Sequence, residues 1–414
     1  MKILWLSHLI PYPPKGGVLQ RSYNLLHEIS KYHDVYLLAF VQSNIVKTMF
    51  PEEEQGKKEA MQVLSAFCRR VKFIPIPCEQ WAHGKNILAL KSLVKKNPYT
   101  INWLESPIMH QTVEKWQSEL HFDVVHFDTI SLAPYIKYFP QTPSVLDHHN
   151  IESHMMLRRS ELETNWLKKF YFFQEGVKLQ QYEKRLCRRF NIHITCSNLD
   201  SDRLREINSN ILVEEIANGV DIAYFSPRNV AENPNSLIFA GGMKWYPNQK
   251  AMLYFAKQVW PLLKCEIPGI NMDVIGQSPP ASLLDLSARD STFRVHGFVD
   301  DVRPYLDRAA IYVCPITDGG GTKLKILDAL AMGKAIVADP IACEGIEVTE
   351  NKNVLFASSP RQYVEKIQFL LKNPDIRKEV GESARQLILK SYAYLNIGKK
   401  LSQIYEKVYR NTPV

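Results

Sequence analysis

Short apolar runs alternate with amphipathic stretches along the whole chain. In the first half the runs are Ile3 to Ser7, Val35 to Phe40, Val71 to Ile76, Val124 to Phe127, Ser144 to Asp147 and Ile192 to Cys196. Runs this short and this continuously apolar, bounded by helical periodicity, predict parallel strands covered on both faces. The second half repeats the plan with Ser236 to Ala240, Asn271 to Ile275, Thr292 to His296, Ile311 to Pro315, Ala335 to Ala338 and Val354 to Phe356. The pattern predicts two doubly wound α/β domains. Between them, Ile216 to Pro227 and the polar run Arg228 to Ser236 carry turn residues instead of periodicity, and mark a hinge. Asn218 and Asp221 read there as an Asx-type turn. The spacing of Ile397, Leu401, Ile404 and Val408 predicts a terminal helix. The predicted division is residues 1–205, residues 206–390, and a helix in residues 391–414 that packs back toward the first domain.

Length agrees with that division, since 414 residues exceed what one ordinary core holds. The content is 45% apolar, 11% aromatic and 23% charged, which excludes disordered and collagen-like classes. A formal charge of +8, from 51 basic and 43 acidic side chains, suits anionic ligands and is too weak to imply nucleic acid. The 7 cysteines form no C-x-x-C pair and read as reduced thiols of a cytoplasmic protein. The opening Met1 to His8 reads as a buried strand, not a signal segment, and no stretch reaches the roughly 18 continuous apolar residues of a membrane helix. Asn165 to Gln174, aromatic and basic, reads first as a core face with a solvated side. Its alternative is a peripheral surface for the inner face of an anionic membrane.

The run from Pro315 to Asp339 carries the most chemistry. Gly319, Gly320 and Gly321 follow a predicted strand and lead through Thr322, Lys323 and Lys325 into a predicted helix ending near Met332 and Gly333. Glycines let backbone N–H groups approach an anion closely, and a helix N-terminus adds positive potential. Thr322 is the expected N-cap, with Leu324, Leu327 and Ala331 on the core side and Lys325 and Asp328 on the other. The spacing differs from a P-loop, and the run stands late in the chain, so neither an ATPase nor a simple dehydrogenase is indicated.

These residues resemble those of the retaining nucleotide-sugar glycosyltransferases of GT-B fold, glycosyltransferase family 4. The resemblance is carried by Gly16-Gly17, Asn218 to Asp221, His296 to Val302, Gly319 to Met332 and Glu344 to Ile346, in that order along nearly the whole chain. It implies two Rossmann-like domains facing each other across a cleft, with the donor held mainly by the second and the acceptor by the first. A nucleoside diphosphate sugar is then a co-substrate, with no other cofactor and no metal. The implied donor-binding residues are Gly16, Gly17, Gly242, Lys244, Phe298, Asp318, Gly319, Gly320, Gly321, Thr322, Asp328 and Glu344. His149, Lys323 and Lys325 are the implied catalytic set, with His149 chosen over His148 by its spacing from Pro143.

Two departures qualify the resemblance. The family usually places two glutamates eight residues apart here, whereas this chain has Gly320 and Asp328. Loop amides or Asp318 then take the first role, and Asp328, one methylene shorter, the ribose contact. The family's Arg and Lys after the first strand of the second domain are also missing from Gly241 to Asn248, leaving Lys244, Lys323 and Lys325 as countercharge. The resulting expectation is transfer from a UDP- or GDP-sugar to a hydroxyl of a glycan or lipid-linked acceptor in surface polysaccharide or glycoconjugate synthesis. The alternatives are a non-catalytic GT-B partner subunit and a UDP-sugar epimerase of the same fold.

Overall fold

In the computed structural model, residues 1–15, 17–228, 230–318 and 322–411 are described. The chain divides into two compact units. One holds Met1–Ala217 together with the segment from Ile397 onward, and the other is Asn218–Asn396.

The first unit is built on seven strands, β1 (Lys2–Ser7), β2 (Asp34–Val41), β3 (Arg70–Pro75), β4 (Val124–Phe127), β5 (Ser144–His148), β6 (Ile192–Thr195) and β7 (Val213–Glu215). They lie in the order β3-β2-β1-β4-β5-β6-β7 and every pairing is parallel. Burial on both faces explains the continuous apolar runs: Ile3, Leu4, Trp5 and Leu6 are all inaccessible to solvent. The polar exceptions His126, Asp147, His148 and His193 are equally buried. Unpaired polar groups in such a place cost free energy, so each must have found partners. From Ile397, the helix Tyr394–Asn411 packs on this unit. A Cβ on Gly398 would lie 2.3 Å from Glu28 Cβ, and the Tyr405 hydroxyl lies 2.8 Å from His126 Nδ1.

The second unit holds β8 (Asn233–Ala240), β9 (Asn271–Ile275), β10 (Phe293–Gly297), β11 (Ala309–Cys314), β12 (Ala335–Ala338) and β13 (Leu355–Phe356). Their order is β10-β9-β8-β11-β12-β13, again all parallel. Both sheets are thus doubly wound. Each reverses direction at its centre, between β1 and β4 in one and β8 and β11 in the other. Open sheets of this kind accept ligands beyond the carboxyl ends of the strands at that reversal.

Two expectations need correction. The sequence pattern does not show β7, which is three residues long and only half-buried. Residues Trp166, Leu167, Phe170 and Phe173 are not core residues, because they stand in solvent on the helix Trp166–Leu186. The Asx turn is present: Asp221 Oδ1 accepts from the backbone N–H groups of Ala223 and Tyr224, both at 3.0 Å. All seven cysteines are free thiols, and only Cys265 is exposed. Among the described residues no helix is long and apolar enough to cross a membrane.

Candidate functional site

At the carboxyl ends of β8, β9 and β10, on one side of the reversal of the second sheet, the backbone itself is close-packed. Gly241 N–H donates to Ile275 O at 2.8 Å, Met243 N–H to Gln277 O at 2.9 Å, and Gly276 N–H to Gly297 O at 2.7 Å. Three strand ends are therefore laced together. Gly276 has φ +155°, and a Cβ there would fall 2.0 Å from Gly241 O, so only glycine fits.

Beyond β11 the chain runs to the helix Leu324–Ala331. Lys323, not Thr322, occupies the N-cap position, and its side chain makes no cap hydrogen bond. The Thr322 hydroxyl is buried without a hydrogen-bond partner among the described residues. On this helix Ile326, Leu327, Ala329, Leu330 and Ala331 are buried, as expected for Leu327 and Ala331, while Leu324 is half-exposed. Gly333, at φ +66°, ends the helix in the left-handed conformation that glycine accepts.

Lys325 leaves this helix toward the glycine turn after β8. Its Nζ donates to Asn248 Oδ1 and stands 4.8 Å from the Trp245 ring centroid and 5.6 Å from that of Phe239. Asn248 Nδ2 in turn donates to Gly242 O at 2.8 Å. A chain of contacts thus ties a cation to the loop of the neighbouring strand. Among the described residues Lys325 forms no ion pair, and its charge rests on an amide oxygen and ring faces. Burial pulls the Lys325 pKa down to about 8.

The other residues named for this unit are more scattered. Asp318 is buried and accepts from the Tyr246 hydroxyl at 2.7 Å. Lys323 is buried, and Asp328 is half-buried on the turn after Lys325. Lys244 is exposed and makes no ion pair among the described residues. Phe298 is exposed just past β10. His296 is engaged with Asp273, its Nε2 2.6 Å from Oδ1. Glu344 precedes Gly345, whose φ of +78° permits the turn, and its Oε2 is buried with no partner among the described residues. Gly319, Gly320, Gly321 and Gly16 lie outside the described residues. Gly17 opens the helix Gly17–Ser30, and a Cβ there would meet nothing within 4 Å.

At the reversal of the first sheet the strand ends are filled with charge instead. Asp128, just past β4, is fully buried. Its Oδ2 accepts from the hydroxyls of Ser7 at 3.0 Å and Ser22 at 2.9 Å, and its Oδ1 accepts from His149 Nε2 at 2.6 Å. His8 Nδ1 is 3.5 Å from Oδ2. Burial alone would raise the Asp128 pKa, but the charge and hydrogen bond of His149, with help from His8, hold it well below the usual carboxylate range. Burial likewise works against a charged His149, and the Asp128 charge and hydrogen bond outweigh it and raise its pKa. Each partner thus favours the charged form of the other. Ligand atoms of His8, Asp128 and His149 lie within 4.8 Å of one another, a spacing a metal ion could also use.

His148 is different. It ends β5 with Nε2 3.1 Å from His193 Nδ1, and His193 Nε2 donates to Cys187 O at 2.9 Å. Burial, with His193 beside it, holds His148 well below the ordinary histidine value. Burial brings His193 down to about 4. Both imidazoles are neutral core groups. Nearby, Arg21 bridges Asp147 with contacts of 3.0 to 3.2 Å and donates to Ile216 O and Ala217 O at 2.8 and 3.1 Å.

Residues 234–373 match the family model described as Glycosyl transferases group 1. An uncharacterized 44.6 kDa protein in the cps region of Klebsiella pneumoniae is 21% identical over 407 residues, spanning 94% of this chain and 96% of its own. Sucrose-phosphate synthase from Thermosynechococcus elongatus has a similar structure, with a TM-score of 0.70 at 13% identity, covering 99% of this chain and 100% of its own. HepE of Anabaena in complex with UDP gives a TM-score of 0.67 at 13% identity, over 98% and 100% of the two chains. The fold is GT-B. Taken together, the match in the second unit and the shared fold support a GT-B glycosyltransferase.

Sequence reasoning named Lys325 and His149 but did not name Asp128, His8, Arg21, Asp147, Asn248 and Tyr246 as the residues around them. One signal was present: Ser7-His8, Asp128 and Asp147 to His149 are polar groups at the carboxyl ends of apolar strands. Such groups gather at the reversal once strand order is known, and strand order is what the linear sequence lacks.

Proposed function

We propose that this protein is a retaining, metal-independent glycosyltransferase moving a sugar from a UDP- or GDP-sugar to a hydroxyl of a glycan or lipid-linked acceptor. What supports the donor assignment most is the Lys325-Asn248-Gly242 linkage at the reversal between β8 and β11. It presents a desolvated cation with no ion pair among the described residues beside a glycine turn, which suits a diphosphate. The Anabaena neighbour, seen in complex with UDP and with UDP-glucose, makes the uridine nucleotides the first to try.

In this reading the diphosphate lies against the loop before Leu324 and the turn at Gly242, with Asp328 on the ribose. The bond between the anomeric carbon and the leaving oxygen breaks, and negative charge grows on the β-phosphate. Lys325, Lys323 and loop amides stabilise that charge more than they stabilise the bound donor, which is what lowers a barrier. The acceptor oxygen bonds to the anomeric carbon on the face the leaving group vacates, and its proton passes to the departing phosphate. His149, whose pKa is raised by the charge and hydrogen bond of Asp128, donates a hydrogen bond to a sugar hydroxyl or to the leaving phosphate. No pair of carboxylates spaced for double displacement is assigned here.

Thermal unfolding with UDP, GDP, ADP, CDP and dTDP tests the donor site first. A nucleotide at about 100 times its dissociation constant adds about 2.7 kcal/mol to the native state. A shift selective for one base, followed by nucleotide release that depends on donor sugar and acceptor, is the expected result. No shift with any of the five would overturn the assignment.

A further inference from the structure

We propose that the first unit carries a docking face for an anionic lipid bilayer, formed by the helices Gly84–Val94 and Trp166–Leu186. This inference stands independently of the donor site. On the second helix, Trp166, Phe170 and Phe173 follow one another at helical spacing with 74%, 60% and 53% of their surfaces exposed. On the first, Ile87, Leu90 and Val94 make a similar row, and Leu90 and Val94 are 67% and 90% exposed. An amphipathic helix of a globular protein turns such a row inward. Here both rows face water.

The two helices are fastened to each other. Gln174 Nε2 donates to Leu93 O at 2.8 Å, and Lys178 Nζ donates to the carbonyls of Ser92, Leu93 and Lys95 at 2.8 to 2.9 Å. These bonds fasten the end of the first helix beside Phe173. The helix Glu152–Leu162 supports the second helix from behind, where Gly176 approaches Leu157 so closely that a Cβ would lie 2.8 Å from its Cγ. The face is therefore rigid before it meets a partner.

Charge selects the occupant. Lys91, Lys95, Lys96, Lys168 and Lys169 flank the apolar rows, are exposed, and form no ion pair among the described residues. Nearby, Lys85 is paired with Glu79, and Glu161 and Glu163 are the acidic residues of the connecting turn. A second copy of the same face would bring five lysines against five. A bilayer with anionic headgroups matches both features, since aromatic rings settle at the headgroup boundary while lysines reach the phosphates. Placed there, the first unit would meet a lipid-linked acceptor at its own interface.

The test uses the full chain and sedimentation with vesicles. Vesicles of roughly equal parts phosphatidylcholine and phosphatidylglycerol should pellet the protein at low salt, and phosphatidylcholine alone should not. Lys168→Glu with Lys169→Glu should weaken binding at least about tenfold. Trp166→Ser with Phe170→Ser should remove the binding that survives high salt. Both double variants should keep the wild-type thermal midpoint, because these side chains are exposed. No pelleting with the anionic vesicles at low salt overturns the proposal, as does wild-type affinity in both variants. So does a dimer seen by light scattering that Trp166→Ser with Phe170→Ser abolishes, because the occupant would then be a second copy.

Discussion

At the end of β4 the first sheet holds Asp128, whose two oxygens are met by Ser7, Ser22, His8 and His149. At the corresponding reversal the second sheet holds Lys325, met by one amide oxygen and two ring faces. The winding is the same, and the electrostatics are opposite in kind. In the first unit two buried carboxylates are balanced locally, Asp128 by His149 and Asp147 by Arg21. Such pairs fix geometry and tautomer. In the second unit a cation is desolvated and left with neutral partners, which raises the gain from binding an anion. Internal satisfaction thus marks a group that positions others, and its absence marks a group that awaits a ligand.

The strongest way to break this comparison is Arg21→Ala. It leaves Asp147 a buried carboxylate without its partner and should cost about 3 to 5 kcal/mol in urea unfolding. A loss under about 1 kcal/mol would mean that the first-sheet network does not hold its charges as described. Next, Lys325→Met should reduce turnover by about 10² to 10³ without lowering stability, since it removes a charge that opposes folding. A variant that unfolds more easily would place Lys325 with Arg21 among structural groups.

Gly276→Ala follows, because its Cβ would collide with Gly241 O and force apart the turns that carry Asn248. A stability loss of about 1 to 3 kcal/mol is expected, with weaker nucleotide binding. The alanine at Gly17 should be near neutral by comparison, as nothing stands within 4 Å.

The pH dependence of Lys325 sharpens the contrast further. Its folded value near 8 lies below the ordinary 10.5. The unfolded chain therefore binds more protons between those values, and stability should rise with pH across that window. Nucleotide affinity should do the reverse, falling as pH rises through about 8, because the anion needs the charged amine. Both slopes should disappear in Lys325→Met, measured by unfolding and by titration calorimetry. A modest effect is expected of Tyr246→Phe, which removes one hydrogen bond to Asp318 and should cost about 0.5 to 1.5 kcal/mol in urea unfolding.

Much of the fold was readable in advance because the physics is local. A strand covered on both faces must be apolar along its length, so Ile3 to Ser7 and Ala335 to Ala338 announced themselves. β7 did not, since Val213–Glu215 is short and half-buried and carries no such run. The helix after the glycine loop was found, but its first residue was misplaced. Thr322 has the chemistry of a cap, yet the loop delivers Lys323 to that position instead.

By itself, then, the sequence determined the alternation of strands and helices, two α/β units, and the glycines that mark strand-to-helix turns, because these follow from periodicity and backbone freedom. Tertiary structure alone decided that Asp128 should meet His149, that Lys325 should reach Asn248 across two strands, and that Trp166, Phe170 and Phe173 should face water. Those outcomes depend on strand order and on which face of a helix finds a neighbour. Both are settled by packing among residues far apart in the chain, where no local pattern records them.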